Sequence, residues 1–277
     1  EEIRASRVLC RVGSDGDLGS VTVRLHTDNS RSIAFNGDVS GYESKVRCRG
    51  GAEPQCTDAS VSREASSAEG CPRCPCPSTT GELSGAYSRL VASEIDARCD
   101  QDKSPRILLL GLGCGELATH VAHHCGGSVQ IDAVELDERL PVLARLYFGM
   151  PDAVRVSVGD ALPFVLEKQR SAGASDEERY DVVFVDCFST GGVTPEHCRS
   201  PEFVRAVHAL TRAGGKVIQH LWHADLAHAE VPKEFEDTLA LYGREFACEG
   251  CRVSHRSVGA DTVDSLVVAS LPAAVGA

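Results

Sequence analysis

Three glycines and three acids occupy the positions where this chain could do chemistry. Gly111, Gly113 and Gly115, in "LLLGLGCGELATHV", separate an apolar run from a helix-patterned one. Glycines at such a junction let backbone approach a ligand, and the helix start offers unsatisfied N–H groups. Glu135 ends the next apolar run, in "AVELDE", where a carboxylate can accept both hydroxyls of a ribose. Asp160, in "VGDA", ends the run after that. It can accept a hydrogen bond from an adenine amino group, or simply cap the following helix. Together these residues describe a site for a small-molecule nucleoside at one edge of a sheet. Asp186 closes "YDVVFVD", an acid at the end of a hydrophobic strand and a candidate catalytic group.

The elements around these residues must bring them to one edge. From residue 81 onward, apolar runs of strand length alternate with segments whose apolar residues recur at helical spacing. The strands are "RILLLGL", "VQIDAVEL", "AVRVSVGD", "YDVVFVD" and "GKVIQHL", with "CRVSHRSV" and "DSLVVASL" closing the chain without a helix between them. Continuous apolar strands alternating with helices mean a parallel sheet covered on both faces. The expected fold class is therefore α/β, a Rossmann-like, seven-stranded, mostly parallel sheet with an antiparallel strand at its end. Residues 21–35, "VTVRLHTDNSRSIAF", alternate apolar and polar around a turn and read as a β-hairpin. The expected organisation is an N-terminal β-hairpin region over 1–42, a Cys/Pro/Ser-rich insertion or linker over 43–80, and the Rossmann-like domain over 81–277.

Residues 43–80 carry almost no large apolar side chain, and their composition is that of a loop. A cysteine crosslink, a metal or a partner surface is needed to hold such a stretch, and the last makes it a candidate protein-binding segment. Two of the chain's thirteen cysteines' groupings are close-spaced, "CPRCPC" and "CEGC". Cys71, Cys74, Cys248 and Cys251 could ligate zinc, form disulfides or stay free thiols. No second CxxC stands at finger-like spacing, so the metal signal is weak.

A formal net charge of −12 argues against nucleic acid, whose backbone needs a basic face. No apolar run reaches membrane-helix length, and no signal-peptide pattern opens the chain. A soluble protein of the cytoplasm or an organelle is expected, the start at Glu1 being compatible with a processed import precursor. His120 and His124 stand i, i+4 on a helix pattern, the spacing of a two-histidine metal site. With no third ligand evident in the sequence, a surface or packing role is the simpler reading. His220, His223 and His228 cluster around Trp222 just past the fifth strand, over the expected acceptor pocket, with Trp222 as lid or packing residue.

These blocks resemble the class I S-adenosylmethionine-dependent transferases, and within them the spermidine synthase-like (polyamine aminopropyltransferase) family. The resemblance runs from about residue 84 to 270, through "RILLLGLGCGELATHVAHH", "IDAVELDERLPVLARLYFGMP", "VRVSVGDALPFV" and "VDCFSTGGVTPEHCRSPEF". It implies a small β-domain before the Rossmann-like domain. It also implies a cofactor site for S-adenosylmethionine or decarboxylated S-adenosylmethionine on the 111–115 loop, Glu135 and Asp160, and an acceptor pocket near Asp186 with Tyr87, Ser189 and Trp222. A homodimer or a place in a larger complex would also fit.

Four positions depart from that pattern. Ser189 stands where the family has a second acid after Asp186. Cys114 replaces an Asp of the glycine loop. "YSR" keeps Tyr87 but puts Ser88 and Arg89 in place of a His-Glu pair. Each change removes an acid or a proton-handling group. Aminopropyl transfer to a cationic polyamine needs such groups, whereas methyl transfer rests more on positioning. Alkyl transfer to an unknown acceptor is one expectation. A transferase fold kept as a structural or scaffold subunit, with its catalytic groups lost, is the other.

Overall fold

The computed structural model describes residues 6–13, 19–36, 44–48, 63–74, 76, 82–83, 85–171, 176–189, 193–222, 233–259 and 264–274. His223 and His228 lie outside these. An N-terminal six-stranded sheet is formed by β1 (Arg7–Val12), β2 (Val21–Leu25), β3 (Ser30–Phe35), β4 (Ser44–Arg47), β5 (Arg63–Ala65) and β6 (Glu82–Leu83), in the order β5-β1-β2-β3-β4-β6. The alternating segment at 21–35 does form a hairpin, β2 pairing antiparallel with β3. Residues within 43–80 supply β4 and β5, so that stretch contributes two short strands where its composition suggests only loop. Backbone pairing asks little of side chains, which is why composition hid them.

Disulfides fix this segment. Cys71 bonds to Cys10 in β1, and Cys76 to Cys48 just after β4. Cys74 is also disulfide-bonded, as are Cys248 and Cys251 with each other. The zinc reading of Cys71, Cys74, Cys248 and Cys251 is therefore corrected, because a metal needs thiolates and these sulfurs are oxidised.

The second sheet alternates strands with helices. In chain order it is built from α1 (Ala86–Gln101), β7 (Arg106–Leu110), α2 (Glu116–His124), β8 (Gln130–Glu135), α3 (Arg139–Tyr147), β9 (Arg155–Val158), α4 (Ala161–Ser171), β10 (Tyr180–Val185), α5 (Pro201–Leu210), β11 (Thr211–Trp222), α6 (Lys233–Glu245), β12 (Arg252–Ser257) and β13 (Asp264–Ser270). The order is β12-β13-β11-β10-β7-β8-β9. Strands β9, β8, β7, β10 and β11 run parallel, and β13 is antiparallel to both β11 and β12. All six residues of β10 are buried, as expected of a mostly apolar strand with helices on both faces, and its one charged residue, Asp181, accepts from Arg98 Nε at 2.7 Å and from the Arg106 N–H at 2.8 Å. Local signals set the helix starts. Ser200 caps α5 by accepting from the Phe203 N–H, and Pro201 begins the helix without a donor to lose.

The two sheets meet over α3. Leu140, Leu143 and Tyr147 pack against Val21, Val23, Ile33 and Val46. Two buried arginines tie this seam. Arg139 pairs with Asp137 through two parallel hydrogen bonds, Nε to Oδ1 at 2.8 Å and Nη2 to Oδ2 at 2.6 Å. Its Nη1 donates to the carbonyl of Gly19 at 2.7 Å. Arg31 of β3 is fully buried and donates to the carbonyls of Cys74 and Tyr147. Burial pulls its pKa down to about 10. Thus one guanidinium joins the N-terminal sheet, the cysteine segment and α3.

Candidate functional site

The loop between β7 and α2 is shaped by three glycines at positive φ, of which Gly111 is the most tightly constrained. Gly111 has φ +101°, donates to the Val134 carbonyl at 2.9 Å, and a Cβ there would collide with the carbonyl oxygen of Asp186. The Asp186 N–H in turn donates to the Leu110 carbonyl at 2.8 Å. So the start of the glycine loop and the residue after β10 approach each other closely at the backbone. Gly115, with φ +74°, begins α2, and a Cβ would meet the Met150 sulfur at 2.9 Å. Its role is close packing at the helix start, and it does not line the cavity described next.

A cavity of about 370 Å³ opens along this carboxyl edge, within the range of small-molecule sites. Gly111, Gly113, Glu135 and Asp160 line one part; Tyr87, Asp186, His220, Trp222 and Asp264 line another. Of the expected residues, Ser189 is not brought here. It is exposed, and its hydroxyl donates to the Val193 carbonyl at 2.9 Å. Leu136, 56% exposed despite its size, also faces the cavity and offers an apolar wall.

Glu135 is buried at the end of β8. Oε2 accepts from the N–H groups of Leu112 (3.0 Å) and Gly113 (3.3 Å), and Oε1 from Asp137 (3.0 Å). Burial raises its pKa, and these three N–H bonds oppose the rise without cancelling it. Asp160 takes the helix-capping role that the sequence allows, and it also meets a histidine. Oδ1 accepts from the Leu162 N–H at 2.8 Å at the start of α4, while Oδ2 lies 3.0 Å from Nε2 of His197. At the loop position where an acid was expected, Cys114 is fully buried and hydrogen-bonded to the Ser44 hydroxyl of β4 at 2.7 Å. Burial, with Glu116 nearby, pushes its thiol up to about 12, so it is neutral. Ser88 and Arg89 are likewise turned to backbone, donating to the carbonyls of Gly85 and Leu83.

Asp186 has a partner that sequence reading missed. His220 lies within β11 itself rather than in a loop beyond it, as does Trp222. Its Nδ1 is 2.8 Å from Asp186 Oδ1 and its Nε2 is 2.9 Å from Asp264 Oδ1. The ring is only 5% exposed. Tyr87 stacks on it at 4.1 Å, and Phe188 meets it edge-on at 5.0 Å. Burial lowers the His220 pKa, but the two carboxylates outweigh burial and raise it to about 9. At neutral pH it is an imidazolium donating to both acids. The signal for Asp264 was an acid opening the last strand. Its meaning depends on β13 lying beside β11, where Asp264 pairs with Trp222 and sits next to His220.

This strand order, with a glycine loop after the central strand and acids ending the next two, is the class I S-adenosylmethionine-dependent methyltransferase fold, in its spermidine synthase-like form with an N-terminal sheet. The comparisons with known proteins agree. A probable spermidine synthase from Corynebacterium glutamicum superposes with TM-score 0.62 over 93% of this chain and 78% of that one, at 20% identity. Human methyltransferase-like protein 13, in complex with SAH, gives 0.56 over 68% and 82%, at 23% identity. Among curated proteins, a probable polyamine aminopropyl transferase of Bifidobacterium longum is 24% identical over 139 residues, 50% of this chain and 29% of that protein. The mouse eEF1A lysine and N-terminal methyltransferase is 32% identical over 103 residues, 36% of this chain and 14% of that protein. The chain thus spans less than a third of the length of these curated relatives. No family model matches it.

Proposed function

We propose that the cavity binds an S-adenosyl nucleoside and that the protein transfers its alkyl group, methyl rather than aminopropyl, to an acceptor beside Asp186. The observation that carries this is the continuity of the cavity from Glu135 and Asp160 to Asp186 and Trp222. Leu136 suits the face of a nucleobase, Glu135 the ribose hydroxyls and Asp160 an adenine amino group. Glu116, in the first turn of α2, also lines the cavity. One acid beside a helix N-terminus suits a tail bearing both ammonium and carboxylate. Where the resemblance expects an acid to hold a cationic aminopropyl tail stands Cys114, a neutral thiol that is fully buried and does not line the cavity. The bound nucleoside supplies a carbon already activated by its sulfonium. What the chain's own residues then do is position an acceptor and handle its proton.

The Asp186–His220–Asp264 group supports an acceptor of low charge. Two carboxylates around one imidazolium leave one net negative charge. In effect His220 sits where the ammonium of a polyamine would otherwise pair with Asp186. A neutral or singly charged amine, or a hydroxyl, suits this better than a polyamine. Asp186 keeps Oδ2 for the acceptor's proton. A scaffold role would accord with a blocked acceptor side; among the described residues, Asp186, His220 and Trp222 line the cavity, which favours the transferase reading.

The test is product identity. The protein is incubated with S-adenosylmethionine, or its decarboxylated form, and a panel of primary amines, alcohols and putrescine. S-adenosylhomocysteine from the first, with little methylthioadenosine from the second, supports the reading. Methylthioadenosine formed with putrescine would restore aminopropyl transfer. No product from either would favour the scaffold.

A further inference from the structure

On the outer side of α1 and α2, Asp96 reaches the histidine pair that sequence alone left without a third ligand. Asp96 Oδ2 lies 3.0 Å from His120 Nε2 and 3.8 Å from His124 Nδ1. One ligand atom from each of the three lies within 4.8 Å of the others. We propose that these residues bind a divalent transition-metal ion, zinc(II) being the best match among redox-inert ions.

Four features of the molecule support the assignment. His120 and His124, one turn apart on α2, share one helix face with ring centroids 5.7 Å apart, which puts two imidazoles within reach of one ion. The donor set of two imidazoles and one carboxylate suits zinc, copper or nickel rather than calcium or magnesium, which take oxygen ligands. Three protein ligands leave a fourth position for water. Asp100 Oδ1 lies 3.9 Å from Nε2 of His124, the nitrogen opposite the one nearest Asp96. At that distance Asp100 is a charge partner and not a hydrogen-bonded one, placed on the side where a metal-bound histidine usually has a carboxylate or carbonyl to fix its ring. Finally, Cys99 of α1 is disulfide-bonded to Cys125 at the end of α2. That bridge sets the separation of the two helices next to the site, so less ordering is needed on binding.

The three residues do not line the nucleoside cavity, and the proposal does not rest on its function. The test is calorimetric titration of the chelator-treated, oxidised full chain with zinc chloride. One equivalent is expected to bind. His120→Asn, His124→Asn and Asp96→Asn should each weaken binding by at least the 10–100-fold typical of losing an outer-shell partner. Asp100→Asn should weaken it by about tenfold, and His123→Asn, on the same helix, should leave it unchanged. Circular dichroism of each variant checks that the fold is kept. Absence of zinc binding to the wild type, or binding that survives all three ligand substitutions, would overturn the proposal.

Discussion

Asp186 Oδ1 and His220 Nδ1 lie 2.8 Å apart, and this contact joins the ends of two neighbouring parallel strands, β10 and β11. The other ring nitrogen is held by Asp264 at 2.9 Å. The pairing makes stability depend on pH. A histidine whose pKa rises from 6.5 to about 9 on folding contributes stability that is fully present below about pH 6.5. That contribution declines as pH rises and is lost above about pH 9. Urea unfolding at intervals across this range should show the decline, and His220→Gln should flatten it. An equal slope in both proteins would mean the proton lies elsewhere.

If His220 stands in for a substrate ammonium, removing it should free two carboxylates for a cation. His220→Ala is expected to bind putrescine at least about tenfold more tightly than the wild type, the scale of one charge-assisted hydrogen bond. Calorimetry at low salt measures this. Tighter binding by the wild type would contradict the low-charge acceptor reading.

Glu135 bonds the glycine loop and faces the cavity. Glu135→Gln keeps its size but removes the charge that would accept from two ribose hydroxyls. A loss of about 10- to 100-fold in affinity for an S-adenosyl nucleoside is expected. Unchanged affinity would move the ribose away from Glu135.

Gly111→Ala combines a forbidden backbone conformation with a clash against the Asp186 carbonyl. A cost of roughly 1–3 kcal/mol from backbone conformation alone is expected, read as a lower midpoint in urea. Ala at Gly126, also at positive φ but with nothing within 4 Å of the added atom, is the control and should cost less.

The Cys99–Cys125 bridge closes a separation of 26 residues. Replacing both cysteines with serine should cost roughly 3 kcal/mol by loop-closure entropy, measured by the same unfolding assay. Little change would mean that packing of α1 on α2 already confines the chain.

The sheet was legible in the sequence because its central strands, β7 and β10 above all, are mostly apolar runs of strand length, while the edge strands β9 and β12 are polar and exposed. Gly111, Glu135 and Asp160 were legible because each ends a strand whose place in the order is conventional. The N-terminal sheet was only partly legible. β4 and β5 are short, polar and held by bonds from Cys10 and Cys48 to cysteines far along the chain. Asp264 and Asp96 were invisible for a similar reason. Each acts on a histidine that only tertiary packing brings near, across β13 and β11 in one case and across α1 and α2 in the other.

The central claim is that the cavity is a site for an S-adenosyl nucleoside. Its most direct test is parallel calorimetric titration with S-adenosylmethionine, decarboxylated S-adenosylmethionine and methylthioadenosine. The account predicts one-to-one binding, tightest for S-adenosylmethionine and weakened by Glu135→Gln. No binding by any of the three, with the wild type folded, would contradict it.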